Sequence, residues 1–475
     1  MKLRALLLSS RTGLLLLPWG VLVGITLHTD PYGLTEEGAK ALLLAWSIGD
    51  AVASAAFTLG APDIRVMLFL PLGFLWPGQV IAAKLLTMLI MAGAAIALYR
   101  WRRRDDQAEA ALLATGLLMI APLTVDAINA LSAAPCLLAI FGAAAWLNRM
   151  QAVERGTFGG AYFVQLLACA AAVSLHPAGI AYPAMLMATW WRDPPDQRHR
   201  EFFLIGIPLV VVLALAMRLG WPGTIWWQNP LPAAAAVFNG SGILGQLSSA
   251  DLLGGFALIA LTVAVALHEG RRLLADLTGG TLLIAVLVGA VAADRAWAML
   301  MLALLLYGGL PWLLRACAPL AGRGLLVQRG WLWLLLLLIS TAFMRTNRND
   351  FEAGRDKLLS AEDQVISDFA EGVNSLRASA GATTEHPAAP VLVASSWPAR
   401  TSIACRCDGL PLPPAAKDPS SQLAMMRGVS YVILGDEFQD RALAINFAQL
   451  GSEIEVLSRE PGGVILHFRQ PRAGL

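Results

Sequence analysis

Charge is scarce in this chain. Of 475 residues 14% are charged and 57% hydrophobic, with a mean hydropathy of +0.62. An ordinary soluble domain carries about 25% charged residues, so that class is excluded. The net charge of +2 gives no cationic surplus that would suit nucleic acid. Cysteine is also sparse. The five cysteines show neither a disulfide framework nor zinc-ligand spacing. Cys136 and Cys169 fall in apolar runs and Cys317 in an expected cytoplasmic loop. Cys405 and Cys407 are one residue apart, which argues against a bridge within the pair; pairing between chains or a free thiol pair stays open, and no catalytic role is assigned. No internal repeat stands out, and the distal part has no Gly-rich phosphate loop and no metal-spaced histidines.

What fills the chain instead is long apolar runs. A bilayer core about 30 Å thick takes roughly 20 apolar residues per helix. Lys2, Arg4 and Arg11 precede an apolar run over 13–27 that resembles a signal peptide but lacks a small-residue cleavage site, so it reads as a retained first helix. Further spans are predicted at 77–99, 108–124, 131–147, 158–174, 176–191, 201–220, 251–268, 277–293, 297–314 and 329–345. Arginines cluster in alternate loops: Arg100, Arg102, Arg103 and Arg104; Arg149 and Arg155; Arg192, Arg198 and Arg200; Arg271 and Arg272; Arg315, Arg323 and Arg329. That asymmetry assigns these loops to the cytoplasm. The expected architecture is an all-α polytopic bundle of about eleven transmembrane helices in a bacterial inner membrane, with the amino terminus cytoplasmic.

Residues 1–345 form the predicted membrane domain, with an outer loop at 28–65 and an interfacial segment at 66–76 that is too short to cross. The loop over 221–250 starts with Trp221, Trp226 and Trp227, either an aromatic belt or a lid over a lipid cavity. Beyond 345 the composition changes. A charged helix over 347–377 and a polar linker over 378–390 lead to short β-like runs at 391–394, 431–434, 454–457 and 463–468, with a helical stretch at 443–450. Residues 346–475 are therefore predicted to hold a periplasmic helix, a linker and a small α/β domain.

Several residues on the expected outer face can carry chemistry. Thr35 can cap a helix whose first turn holds Glu36 and Glu37, which alone makes a good helix start. With Asp30 upstream, the carboxylates could supply a general base or bind a divalent cation. Asp126 follows Pro122 in a short outer hairpin and is either wet or a further carboxylate of the cavity. Lys84 inside a span either snorkels or meets a lipid phosphate. Arg65 and Arg295 are further cations, Arg295 being balanced by Asp294. His176-Pro177 sits in a hairpin, where a lone histidine is more often structural than catalytic.

As a set these features resemble the GT-C superfamily of polytopic glycosyltransferases, in the branch of protein mannosyltransferases, aminoarabinose transferases and rhizobial lipopolysaccharide glycosyltransferases. The resemblance rests on the acidic pair opening a helix after the first span and on the proline-led segment at Ala61-Pro62. It rests also on Lys84 in the second span, Pro122, the His176 to Gly179 hairpin, Arg295 opening a late span, and the outer α/β domain. It implies transfer of a sugar from a polyprenyl-phosphate donor to a lipid, glycan or protein acceptor. Glu36, Glu37 and Asp126 would be catalytic; Asp30, Arg65, Lys84, His176 and Arg295 would bind substrate. No metal ligand set is assigned. Glu36 replaces the usual first Asp, and Ala61 a usual polar residue, which fits a divergent transferase or an inactive relative. The alternative class is a transporter or flippase for a lipid-linked sugar, which would favour inverted repeats.

Overall fold

The computed structural model describes residues 20, 33–47, 64–103, 108–153, 160–192, 206–214, 249–290, 295–317, 337–348, 360–379, 391–435, 438–451 and 453–468. The first span at 13–27, Asp30, the Ala61-Pro62 pair, Asp294 and the loop at 221–248 lie outside the described residues.

The chain is mostly helical, with one small sheet near its carboxyl end. The first helices are α1 (Glu36–Ser47), α2 (Ile64–Leu75), α3 (Val80–Arg103), α4 (Ala108–Ile120) and α5 (Pro122–Asn129). After them come α6 (Ala134–Val153), α7 (Gly160–Leu175), α8 (Ala181–Arg192), α9 (Ser249–Leu273) and α10 (Leu277–Gly289). Helices α11 (Arg295–Leu304), α12 (Leu310–Cys317) and α13 (Ala361–Ser379) complete the run before the sheet. Residues 206–214 and 337–348 are also helical.

The expectation of eleven spans is corrected at this point. Among the described residues two helices are long and apolar enough to cross a membrane, Val80–Arg103 and Arg295–Leu313. A third is reached if α4 and α5, bent by 52°, count as one. Several of the other apolar helices fall short in length. The 13 residues of α10 rise only about 20 Å, short of a bilayer core of about 30 Å. Proline supplies one interruption. Pro122 forces Ala121 into an extended conformation (φ −63°, ψ 134°) and restarts the chain as α5. Pro311 cannot donate to the preceding turn, and Arg295–Leu313 widens to a π-turn at Leu305–Gly309 just before it without breaking.

The chain divides into two compact units. The first comprises Met1–Leu27, Ala61–Ile64 and Lys84–Asn349, so α4 to α12 belong to it with most of α3. Small residues let its helices touch: a Cβ on Gly142 would meet the Ala97 Cβ at 2.9 Å, and one on Gly289 the Ala178 Cβ at 3.2 Å. Several buried polar groups pair between elements. Thr115 and Tyr307 share a hydroxyl bond of 2.8 Å, Thr278 donates to the Phe141 carbonyl at 3.0 Å, and the Asn347 amide donates to the Ile120 carbonyl at 2.9 Å.

The second unit comprises His28–Gly60, Arg65–Ala83 and Asp350–Leu475. Its sheet has the order β2-β1-β3-β5-β4, made of β1 (Leu392–Ser395), β2 (Asp408–Pro411), β3 (Tyr431–Leu434), β4 (Ile454–Glu460) and β5 (Gly463–Phe468). Strand β1 lies parallel to β2 and β3, whereas β3, β5 and β4 pair antiparallel. The crossovers are α14 (Pro398–Cys405), α15 (Pro419–Met425) and α16 (Phe438–Ala448). Side chains alternate across the sheet. Ile433 joins Ile366, Phe369 and Ile465 on one face, and Val432 and Leu434 join Leu443, Phe447 and Phe468 on the other. The predicted runs at 431–434 and 463–468 match β3 and β5. Strand β2 and helices α14 and α15 were not foreseen.

Helices α1 and α2 pack closely within this unit: a Cβ on Gly73 would meet the Ala45 carbonyl oxygen at 2.5 Å. In α1 Leu42 is buried, while Leu43 and Trp46 are half-buried. Helix α2 keeps Pro71 inside it and exposes Met67, Phe74 and Leu75.

Candidate functional site

The acidic pair sits where helix-capping chemistry puts it. Thr35 Oγ1 accepts the Gly38 N–H at 3.1 Å, which starts α1 and leaves Glu36 and Glu37 in the first turn. Consecutive residues on a helix point about 100° apart, and the two acids meet different surroundings. Glu36 accepts the backbone N–H groups of Ala399 at 2.8 Å and Arg400 at 3.2 Å. Those amides open α14 behind Pro398, where the helix itself supplies no acceptor. Glu36 is thus a cap delivered from a distant stretch of chain. Burial pushes its carboxyl above the ordinary range, a rise opposed by those two amides and by the charges of Arg400 and Lys40.

Glu37 faces outward, 60% exposed, and its Oε2 lies 3.5 Å from the Arg65 guanidinium, which is 2% exposed. Glu37 is therefore the solvent-facing member of the pair, with a buried cation behind it.

A second acidic pair completes this ionic seam. Arg400 donates to Glu362 at 2.8 Å and to Asp363 at 2.6 Å, and its guanidinium lies 5.6 Å from the Trp397 ring centroid. Asp363 also accepts the Gly33 N–H at 3.2 Å and the Ser360 hydroxyl at 2.8 Å. Burial disfavours the charge on Arg400, but Asp363 and Glu362 overcome it and raise its pKa. The sequence reading missed Glu362, Asp363 and Arg400. The available signal was the Ser360-Ala361-Glu362-Asp363 start of α13, built like Thr35-Glu36-Glu37.

The remaining predicted residues belong to the first unit. Asp126 lies within α5 rather than in a hairpin, because Pro122 at the first turn nucleates a new helix. Its Oδ1 accepts from Arg295 Nη1 at 3.3 Å, a carboxylate partner that the sequence did not suggest. Both side chains are about half exposed. Lys84 is fully buried, which departs from a snorkelling lysine. His176 is buried, and its Nδ1 accepts the Ala178 N–H at 3.1 Å, capping the short helix Pro177–Ile180.

Among the described residues no group of three or more His, Cys, Asp or Glu side chains is placed to hold a metal ion. Cys405 and Cys407 form a disulfide, against the sequence expectation. Arg406 between them adopts the left-handed conformation (φ 51°), which folds the chain back and sets the Cα atoms 5.3 Å apart, inside the usual range for a bridge. No protein-family model matches this sequence, and no curated protein does.

Proposed function

We propose that this chain is a GT-C-like integral membrane glycosyltransferase. It would move a sugar from a polyprenyl-phosphate donor to an acceptor on the outer face of the cytoplasmic membrane. The observation that carries the reading is the solvent-facing Glu37 carboxylate at the head of a Thr35-capped helix, backed by buried Arg65. Two helices long and apolar enough to cross a membrane, Val80–Arg103 and Arg295–Leu313, support it further.

In this reading Glu37 is the base and Glu36, bonded to two amides, is not. The acceptor hydroxyl gives its proton to Glu37 as its oxygen bonds to the anomeric carbon. The bond from that carbon to the phosphate oxygen breaks, and the electron pair leaves with the polyprenyl phosphate. Arg65 holds Glu37 in place, and the roles that the resemblance implies for Asp126, Lys84 and Arg295 belong to the same proposal. A divalent cation would supply charge neutralisation at the leaving phosphate. The described residues do not assemble a ligand set for one.

A second reading is favoured by the capping role of Glu36: a catalytically inactive GT-C-like scaffold that binds the carrier for another enzyme. Purified full-length protein supplied with a labelled polyprenyl-phosphate sugar decides. Transfer that is lost in Glu37→Gln and kept in Glu36→Gln supports the base assignment. Full transfer by both variants would refute the assignment of a base to the pair, and binding of carrier without transfer by the unaltered protein would favour the scaffold.

A further inference from the structure

The far end of α3 carries a feature that the sugar-transfer reading does not use. A cleft of about 670 Å³ opens between α3 and α6, all of it within the first unit. Its floor is made of small apolar residues, Ala97 with Gly142 and Ala143, and it is shallow because Gly142 brings the two helices into contact. Two indoles wall it. Trp101 is fixed, its Nε1–H donating to Asp276 at 2.5 Å, and the same carboxylate oxygen caps α10 through the Gly279 N–H. Trp146 is 53% exposed on an apolar helix. Two guanidiniums, Arg100 and Arg103, close the rim; both are exposed, and no ion pair engages them among the described residues.

The bland account is that these arginines set topology and complement the helix dipole at the end of α3. That account explains the charges but not the trough beside them. An apolar groove floored by small residues, an exposed indole and two cations at one end match a molecule with the same division. Its head would be a phosphate and its body an alkyl chain. A free phosphate would use the rim and leave the floor and Trp146 without a function.

We propose that this cleft binds an anionic phospholipid of the bilayer. Its phosphate sits between Arg100 and Arg103, and the start of an acyl chain runs over the Ala97–Gly142 floor beside Trp146. The site does not depend on whether the protein transfers sugar. It requires only that α3 and α6 lie in a bilayer.

The test uses full-length protein in a non-ionic detergent, titrated with phosphatidylglycerol, phosphatidylcholine or inorganic phosphate and read by native mass spectrometry. Each arginine near an anionic lipid surface contributes about fivefold in affinity. Arg100→Gln with Arg103→Gln should therefore weaken phosphatidylglycerol binding about thirtyfold and leave phosphatidylcholine unchanged. Ala143→Leu, which fills the trough without touching charge, should weaken it as well. Arg271→Gln with Arg272→Gln, at the end of α9, should have no effect. Equal binding of the two lipids would overturn the proposal. So would unchanged phosphatidylglycerol affinity in the Arg100/Arg103 double variant, an equal loss in the α9 control, or full competition by inorganic phosphate. Circular dichroism of each variant separates lost binding from lost folding.

Discussion

Replacing Glu36 separates a structural carboxylate from a catalytic one. The side chain accepts two amides at the start of α14, at 2.8 and 3.2 Å. Glu36→Ala leaves both amides without that acceptor, and loss of a helix cap costs about 0.5–2 kcal/mol. Taking about 2 kcal/mol for this half-buried position, local opening of α14 should rise roughly thirtyfold. Glu36→Gln is gentler. Its amide oxygen can keep one of the two bonds, and it removes a charge whose burial already opposes ionisation, so the cost should stay below about 1 kcal/mol. Hydrogen exchange of the full-length protein, followed on the segment 398–405, reads these differences directly. The pH dependence has a definite sign. A carboxyl whose folded pKa is raised binds more protons folded than unfolded, so its contribution to stability falls as pH rises from about 4.5, the ordinary value, through the raised one. Glu36→Gln should flatten that slope. Unchanged exchange over 398–405 in Glu36→Ala would refute the capping argument. If Glu36→Gln kept normal exchange and lost sugar transfer by a hundredfold or more, Glu36 would be the base after all.

Three further outcomes are expected. Arg400→Met strands Asp363, itself only 8% exposed at the side chain, and should lower unfolding stability by about 3–5 kcal/mol in a thermal melt; adding Asp363→Asn should recover part of that loss. Gly179→Ala places a methyl group against the Ala172 carbonyl in the turn that joins α7 to α8, so the yield of folded protein by size-exclusion chromatography should collapse. Asp418 caps α15 by accepting from Ser420 and Ser421, which lowers its pKa to about 2. Its stabilising contribution is therefore present above about pH 3.8 and lost as pH falls towards 2, and Asp418→Asn should remove that part of the acid unfolding curve.

Local rules accounted for the pieces they govern. Thr35 starts α1, Pro122 restarts the chain as α5, and alternating apolar residues form β3 and β5, because capping, proline stereochemistry and strand period act over a few neighbouring residues. Span length was harder to read. A run of apolar residues states what can be buried but not where the helix stops, and here a proline break and helix ends cut several runs short. The left-handed turn at Arg406 likewise made a bridge possible that spacing alone argued against.

By itself the sequence determined the apolar class of the chain, the positions of most helices and the placement of two acids in one helical turn. Only the tertiary structure decided what each acid does. The partners of Glu36 lie 363 and 364 positions along the chain, and Arg65 lies 28 residues from Glu37. Hydrogen bonding and desolvation depend on distance in space, so two adjacent, chemically identical side chains became a half-buried helix cap and an exposed, arginine-backed carboxylate.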